Sequence, residues 1–78
     1  MGVRLRDLPR GARATVVEID GAAPATRARL RDLGFRAGCE VVCVRRAPWG
    51  SPVLFRVGES DLCLRRDLSS LVVIEVQS

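Results

Sequence analysis

The sequence predicts a small, mainly β barrel of about five strands, with one short helix inserted between the first and second strands. Short apolar segments recur along the chain and are separated by turns rich in Gly and Pro. Only one segment has helical spacing of its apolar residues. The chain has 78 residues, which is enough for one domain covering 1–78. Many short strands in so few residues are typical of a small barrel.

The predicted strands are the segments in which Val, Leu, Ile, Phe and Cys concentrate. They cover residues 13–19, 40–47, 52–57, 62–64 and 71–76. A segment at 5–11 precedes them, which we expect Leu5 and Leu8 to anchor before a turn at Pro9 and Gly11. A single helical turn is predicted after the fourth strand, with Asp67 as its cap.

The third strand has its apolar residues at alternate positions, which predicts that one face lines the interior. Val53, Phe55 and Val57 share that face. The second and third strands are also apolar on the opposite face, at Val42, Val44 and Leu54. The helix, a loop or a second protein must cover that face, or it remains exposed, so a homodimer is one alternative.

The helix is predicted over residues 25–33, with Pro24 in its first turn. Leu30 and Leu33 are three residues apart and therefore share one face. A helix this short is not stable alone and must pack on the barrel.

The residues after the helix are predicted to form its C-terminal cap. Gly34 falls where a helix C-terminus needs a left-handed residue, and Phe35 follows where a hydrophobic contact folds the chain back. Gly38 ends a turn that starts the second strand. We expect Gly34, Phe35 and Gly38 to build the fold, while the junction at 34–38 remains one candidate docking place beside the helix and the Trp49 tip.

The composition argues against catalysis. The net charge is +4, every basic residue is Arg, and the chain lacks His, Lys and Tyr. Without His, the usual general base that activates a Cys or Ser nucleophile is missing. Without Lys, the chain has no Walker-type motif that binds nucleotide phosphates. We therefore expect that the protein is not an enzyme and that it binds no cofactor. The N-terminus lacks an apolar signal region, and no run reaches the ~20 apolar residues of a membrane span, so a cytoplasmic protein is expected.

Nucleic-acid binding is a weaker alternative. An SH3-like or OB-like barrel that binds single strands needs several aromatic side chains beside basic ones. The chain has two Phe and one Trp, and its Arg residues are scattered. No nucleic acid is therefore expected as a partner.

The three cysteines, Cys39, Cys43 and Cys63, are expected to be reduced and structural. Cys39 and Cys43 are four residues apart on a predicted strand, which separates them by roughly 13 Å and is too far for one zinc ion. No metal site is predicted. A metal or redox response through the cysteines is the alternative.

Four segments carry a resemblance to a known family. They are Leu8-Pro9-x-Gly11, Arg29-Leu30-x-x-Leu33-Gly34-Phe35-x-x-Gly38, Arg46-Ala47-Pro48-x-Gly50-x-Pro52-Val53 and Leu62-x-Leu64-Arg65-Arg66-Asp67-Leu68. In this order, over nearly the whole chain, they resemble the FeoA family of bacterial ferrous iron uptake. The resemblance implies an SH3-like barrel with an inserted helix and no catalysis. It also implies a partner, the membrane ferrous iron transporter with a cytoplasmic GTP-binding domain.

The predicted roles divide into structural and partner-binding residues. The structural motif comprises Leu33, Gly34, Phe35, Gly38, Pro48, Gly50, Pro52, Leu64 and Arg65. The predicted partner-binding residues are Arg27, Leu30, Arg31, Arg36 and Trp49. Two alternatives stay open. Leu30, and with it Leu33, packs in the core instead of contacting a partner, and Trp49 folds back over the barrel end or makes no contact.

Overall fold

The computed structural model describes residues 3–49 and 51–77 and consists mainly of one antiparallel sheet. Its strands are β1 (Val3–Arg4), β2 (Arg13–Ile19), β3 (Glu40–Arg46), β4 (Val53–Val57), β5 (Ser60–Leu64) and β6 (Val72–Val76). Helix α1 (Pro24–Asp32) lies between β2 and β3, and α2 (Arg66–Ser69) lies between β5 and β6. A 3₁₀ turn occupies Leu5–Asp7.

The mainly β class and the position of the helix are confirmed. The predicted strands correspond to β2–β6 with ends that differ by at most two residues. The strand β1 was not predicted, because two residues are too few to show an alternating pattern. The strand order is β1-β6-β2-β3-β4-β5, so within the described residues β1 and β5 form two edges and the barrel stays open.

The interior is filled from every strand except β1. Val53, Phe55 and Val57 are all buried, which confirms the predicted inner face of β4. Leu5 and Leu8 are fully buried and anchor the entry segment as predicted. The other members of the core cluster are Ala14, Val16, Ile19, Leu30, Phe35, Val41, Cys43, Leu64, Val72 and Ile74.

Two irregularities bend the sheet around this core. The pairing of β2 with β6 shifts between Val16 and Glu18, and the pairing of β3 with β4 shifts between Cys43 and Arg45. An extra residue on one strand bends it and increases its twist. The second apolar face of β3 and β4 is half-buried in this monomer, at Val42, Val44 and Leu54.

Helix α1 ends in a Schellman motif, in which two backbone bonds close the last turn. The Phe35 N–H donates to the Leu30 carbonyl at 3.1 Å, and the Gly34 N–H donates to the Arg31 carbonyl at 3.0 Å. Gly34 has a φ of +112°, as predicted for its position. Leu30 and Phe35, whose side chains this motif brings together, are both buried.

The chain after the motif is fastened to β2. Gly38 has a φ of +90°, and its N–H donates to the Val16 carbonyl at 2.8 Å. The Val16 N–H donates to the Cys39 carbonyl at 2.8 Å. These paired bonds set the register in which β3 starts.

The predicted cap of α2 is wrong. The cap position is Arg65, two residues earlier than we expected, and it makes no side-chain capping bond. Asp67 lies within the first turn, where a negative charge still favours the helix dipole.

None of the helices in 3–49 and 51–77 combines the length and apolar character needed to cross a bilayer.

The replacement Gly34→Ala tests the Schellman motif. A Cβ at Gly34 would lie 3.1 Å from Val57 Cγ1, and its φ of +112° is unfavourable for alanine. We expect a loss of about 1–3 kcal/mol in the free energy of unfolding, measured by urea denaturation. Gly11→Ala is the matched control, because Gly11 also has a positive φ of +82° but has nothing within 4 Å. Equal losses in the two variants would contradict the close packing of Gly34 on β4.

Candidate docking surface

The structure separates the five predicted partner-binding residues into three environments. Arg27, Arg31 and Arg36 line one groove. Leu30 lies in the core. Trp49 lies in the connection between β3 and β4.

The groove with the arginines runs between β2 and α1 and has a volume of about 260 Å³. We call it the α1/β2 groove. Its lining residues are Val17, Glu18, Ile19, Arg27, Arg31, Phe35, Arg36 and Ala37. Ile19 and Phe35 belong to the core, whereas Val17 is 42% exposed and offers an apolar contact. The groove therefore combines apolar surface with a basic rim.

Two of the three arginines are held by backbone carbonyls. Arg27 Nη1 donates to the Ile19 carbonyl at 2.8 Å, which fastens α1 to the end of β2. Arg36 Nε donates to the Arg31 carbonyl at 3.3 Å, near the helix C-terminus. Glu18 is the one acidic residue that lines the groove, so the three arginines outnumber the acidic side chains there. This arrangement suits a negatively charged partner.

The prediction that Leu30 contacts a partner is wrong. Leu30 is 1% exposed and belongs to the core cluster. Its position in the Schellman motif explains this, since the residue four before the motif's glycine packs on the residue after it. Leu33, for which we also expected core packing, is half-buried and packs against the core cluster.

Trp49 is 88% exposed and therefore does not fold back over the barrel end, while its contact with a partner stays a prediction. The junction at 34–38 precedes β3, and Trp49 follows it. A strand of that length spans roughly 20 Å, so Trp49 and the α1/β2 groove form separate surfaces. Gly50 lies outside the described residues.

The hairpin between β3 and β4 is tied to the rest of the barrel by Arg46, a motif residue for which the sequence predicted neither a structural nor a partner-binding role. Arg46 Nη2 donates to the carbonyls of Arg6 and Leu8, and thereby joins the end of β3 to the entry segment. A pattern of alternating apolar residues gives no sign of this role, because it depends on two segments that are distant in sequence. Of the other motif residues, Leu64 is buried and Pro48, Pro52 and Arg65 are exposed.

The cysteines occupy three different environments. Cys43 is fully buried, Cys39 is half-buried and Cys63 is exposed. Burial raises the pKa of the Cys43 thiol, against the opposing effect of Arg46 beside it. Among residues 3–49 and 51–77, no three Cys, Asp or Glu side chains come together in a way that could hold a metal ion.

A comparison with protein families identifies the chain's relatives. The FeoA domain model matches residues 3–76. The chain belongs to the FeoA family. The Fe(2+) transport protein A/Fe(2+) transporter FeoB fusion protein of Porphyromonas gingivalis is 30% identical over 76 residues, which are 97% of this chain and 9% of the fusion protein. The chain thus spans less than a tenth of that relative.

Solved structures of FeoA proteins have the same fold. The FeoA protein of Chlorobium tepidum matches with a TM-score of 0.88 and 32% identity, over 97% of this chain and 71% of that chain. The FeoA of Stenotrophomonas maltophilia matches with a TM-score of 0.83 and 37% identity, over 94% of this chain and 89% of that chain. That structure is described as a zinc complex of an SH3 domain protein and as a candidate activating factor for ferrous iron transport.

The same architecture occurs in a more distant protein. A manganese-dependent transcriptional repressor matches with a TM-score of 0.86 at 13% identity, over 97% of this chain and 42% of that chain. At this identity the likeness concerns the fold alone.

The replacement Leu30→Ala distinguishes a core role from a contact role. We expect a loss of about 2–5 kcal/mol in the free energy of unfolding, because it leaves a cavity beside Phe35. Urea denaturation measures the loss. Arg29→Ala, at the exposed neighbouring position, should stay within about 0.5 kcal/mol of the wild type. A stable Leu30→Ala variant would contradict the buried position.

Alkylation of the native protein tests the cysteine environments. With iodoacetamide at mildly alkaline pH, we expect Cys63 to react first, Cys39 more slowly and Cys43 only on unfolding, because Cys43 is buried and its thiol pKa is raised. Mass spectrometry of peptides assigns each modification. Fast alkylation of Cys43 in the folded protein would contradict its burial.

Proposed function

We propose that this chain is a non-catalytic accessory protein of ferrous iron transport that docks on the cytoplasmic GTP-binding domain of the membrane transporter. The observation that carries the proposal is the α1/β2 groove, where Arg27, Arg31 and Arg36 surround the exposed Val17. An acidic surface with a protruding apolar side chain is the partner that complements it.

The organisation of a relative supports the choice of partner. In the Porphyromonas gingivalis protein, a segment similar to 97% of this chain is fused to the transporter FeoB. Fusion holds two domains at a high effective concentration, which suits domains that act together. The resemblance that the sequence carries implies the same partner.

The rigidity of the groove supports a docking role. Arg27 and Arg36 are each held by a carbonyl before any partner arrives, so their guanidinium groups lose little freedom on binding. Arg31 stands between them as an exposed charge on the last turn of α1. Because its side chain makes no hydrogen bond or ion pair with the described residues, Arg31 is the best position for a test.

The nucleic-acid alternative is less well supported. Phe35 and Phe55 are both buried, which leaves Trp49 as the one exposed aromatic side chain that could stack on a base. The metal-responsive alternative needs cysteines that cooperate, whereas Cys43 is buried and Cys63 is exposed.

Reversing the charge at Arg31 tests the docking surface. We expect Arg31→Glu to weaken binding to the purified cytoplasmic domain of the transporter by about tenfold or more, equivalent to about 1.4 kcal/mol. Isothermal titration calorimetry at two salt concentrations measures the effect, and the wild-type affinity should fall as salt rises.

Two further variants accompany this test. Arg13→Glu makes the same change in net charge at the exposed start of β2, at the end of that strand away from α1, and should bind nearly as well as the wild type. Trp49→Ala tests the separate prediction that the exposed Trp49 also contacts the partner. A loss of binding in Trp49→Ala together with normal binding in Arg31→Glu would overturn the assignment of the groove.

A further inference from the structure

The edge strand β5 is open along its outer side. β5 is the last strand in the sheet order, and it pairs only with β4 in the described part of the chain. Its register with β4 is regular from Ser60 to Leu64, without a bulge. An edge strand of this kind presents unpaired N–H and carbonyl groups that can pair with another extended segment.

The two edges of the sheet differ in their protection. The β1 edge has two residues and carries the ion pair between Arg4 and Asp20 at 3.0 Å. β5 has five residues and contains no proline. Arg56 on β4 donates to Asp61 on β5 at 2.7 and 3.1 Å, which holds the β4–β5 hairpin in place. β5 is therefore the longer and more regular of the two edges.

A cleft of about 550 Å³ lies beside this edge, between α1 and α2. We call it the β5 cleft. Its lining residues are Arg29, Leu33, Leu62, Cys63, Leu64, Arg65, Asp67 and Leu68. Leu33, Leu62 and Leu68 are partly buried and pack against the core, so they form an apolar floor. Arg29, Arg65 and Asp67 are exposed at its rim, so the two arginines outnumber the one carboxylate.

We propose that β5 and the β5 cleft bind an extended segment of a partner protein whose side chains alternate between apolar and acidic. Pairing with the β5 backbone supplies the hydrogen bonds, and alternate side chains of a strand point to opposite sides. Apolar side chains would enter the cleft, while acidic ones would meet Arg29 and Arg65. A second copy is a poorer occupant, because each chain carries a net charge of +4.

This surface is separate from the α1/β2 groove. Arg29 and Leu33 lie two residues after Arg27 and Arg31, and two residues correspond to slightly more than half a turn of helix. The two grooves thus use opposite sides of α1. The inference does not depend on the proposed function and has its own test.

The test uses a synthetic blocked peptide, Ser-Glu-Val-Glu-Leu-Glu-Val-Glu-Ser, added to the full chain. We expect amide hydrogen exchange at Ser60–Leu64 to slow several-fold, and alkylation of the exposed Cys63 to slow with it. A peptide with proline in place of the central leucine lacks one backbone N–H and should protect weakly or not at all.

Protein variants locate the binding. Arg65→Glu should weaken the affinity for the peptide by about tenfold. Arg45→Glu makes the same charge change on β3 and should leave that affinity unchanged. Arg31→Glu should leave peptide binding intact, which separates this proposal from docking through the α1/β2 groove. The proposal is overturned if β5 is not protected, if the proline peptide binds equally, or if the chain sediments as a dimer whose β5 amides already exchange slowly without the peptide.

Discussion

The packing of Leu30 on Phe35 across Gly34 is the contact on which the rest of the structure depends. Helix α1 is too short to persist alone, and Leu30 is its buried residue. The left-handed conformation of Gly34 turns the chain so that Phe35 enters the core beside that leucine. The same turn delivers Gly38 to its bond with β2, and so sets the start of β3. A side chain at Gly34 would disturb the helix, the core and the sheet together.

This contact also determines what α1 presents to solvent. Because Leu30 is the anchor, Arg27 and Arg31 face β2, whereas Arg29 and Leu33 face β5 and α2. The helix thus separates two grooves of different character. One has three arginines around an exposed valine and suits an acidic surface. The other lies along an open strand and suits an extended segment. The short insertion in the barrel accounts for both surfaces, while the hairpin with Trp49 lies at the other end of β3.

Local patterns were sufficient to predict most of the fold. Alternation at 53–57, glycines at the turns and Pro24 at the helix start located the long strands and the helix. The burial of Leu30 was harder to predict, because Leu30 and Leu33 share a face, and the choice between them depends on how α1 lies on the sheet. Arg46 and the β5 cleft were missed for a related reason. Each depends on segments that are distant in sequence, and a single sequence does not reveal which of them meet.

The central claim is that the protein docks through the side of α1 that faces β2. Nuclear magnetic resonance mapping tests it most directly, with the isotope-labelled chain titrated with the transporter's cytoplasmic GTP-binding domain. If the groove is the docking surface, the largest amide shift changes lie at 17–19 and 27–37, which contain its lining residues. Changes confined to the hairpin around Trp49, with 27–37 unaffected, would contradict it.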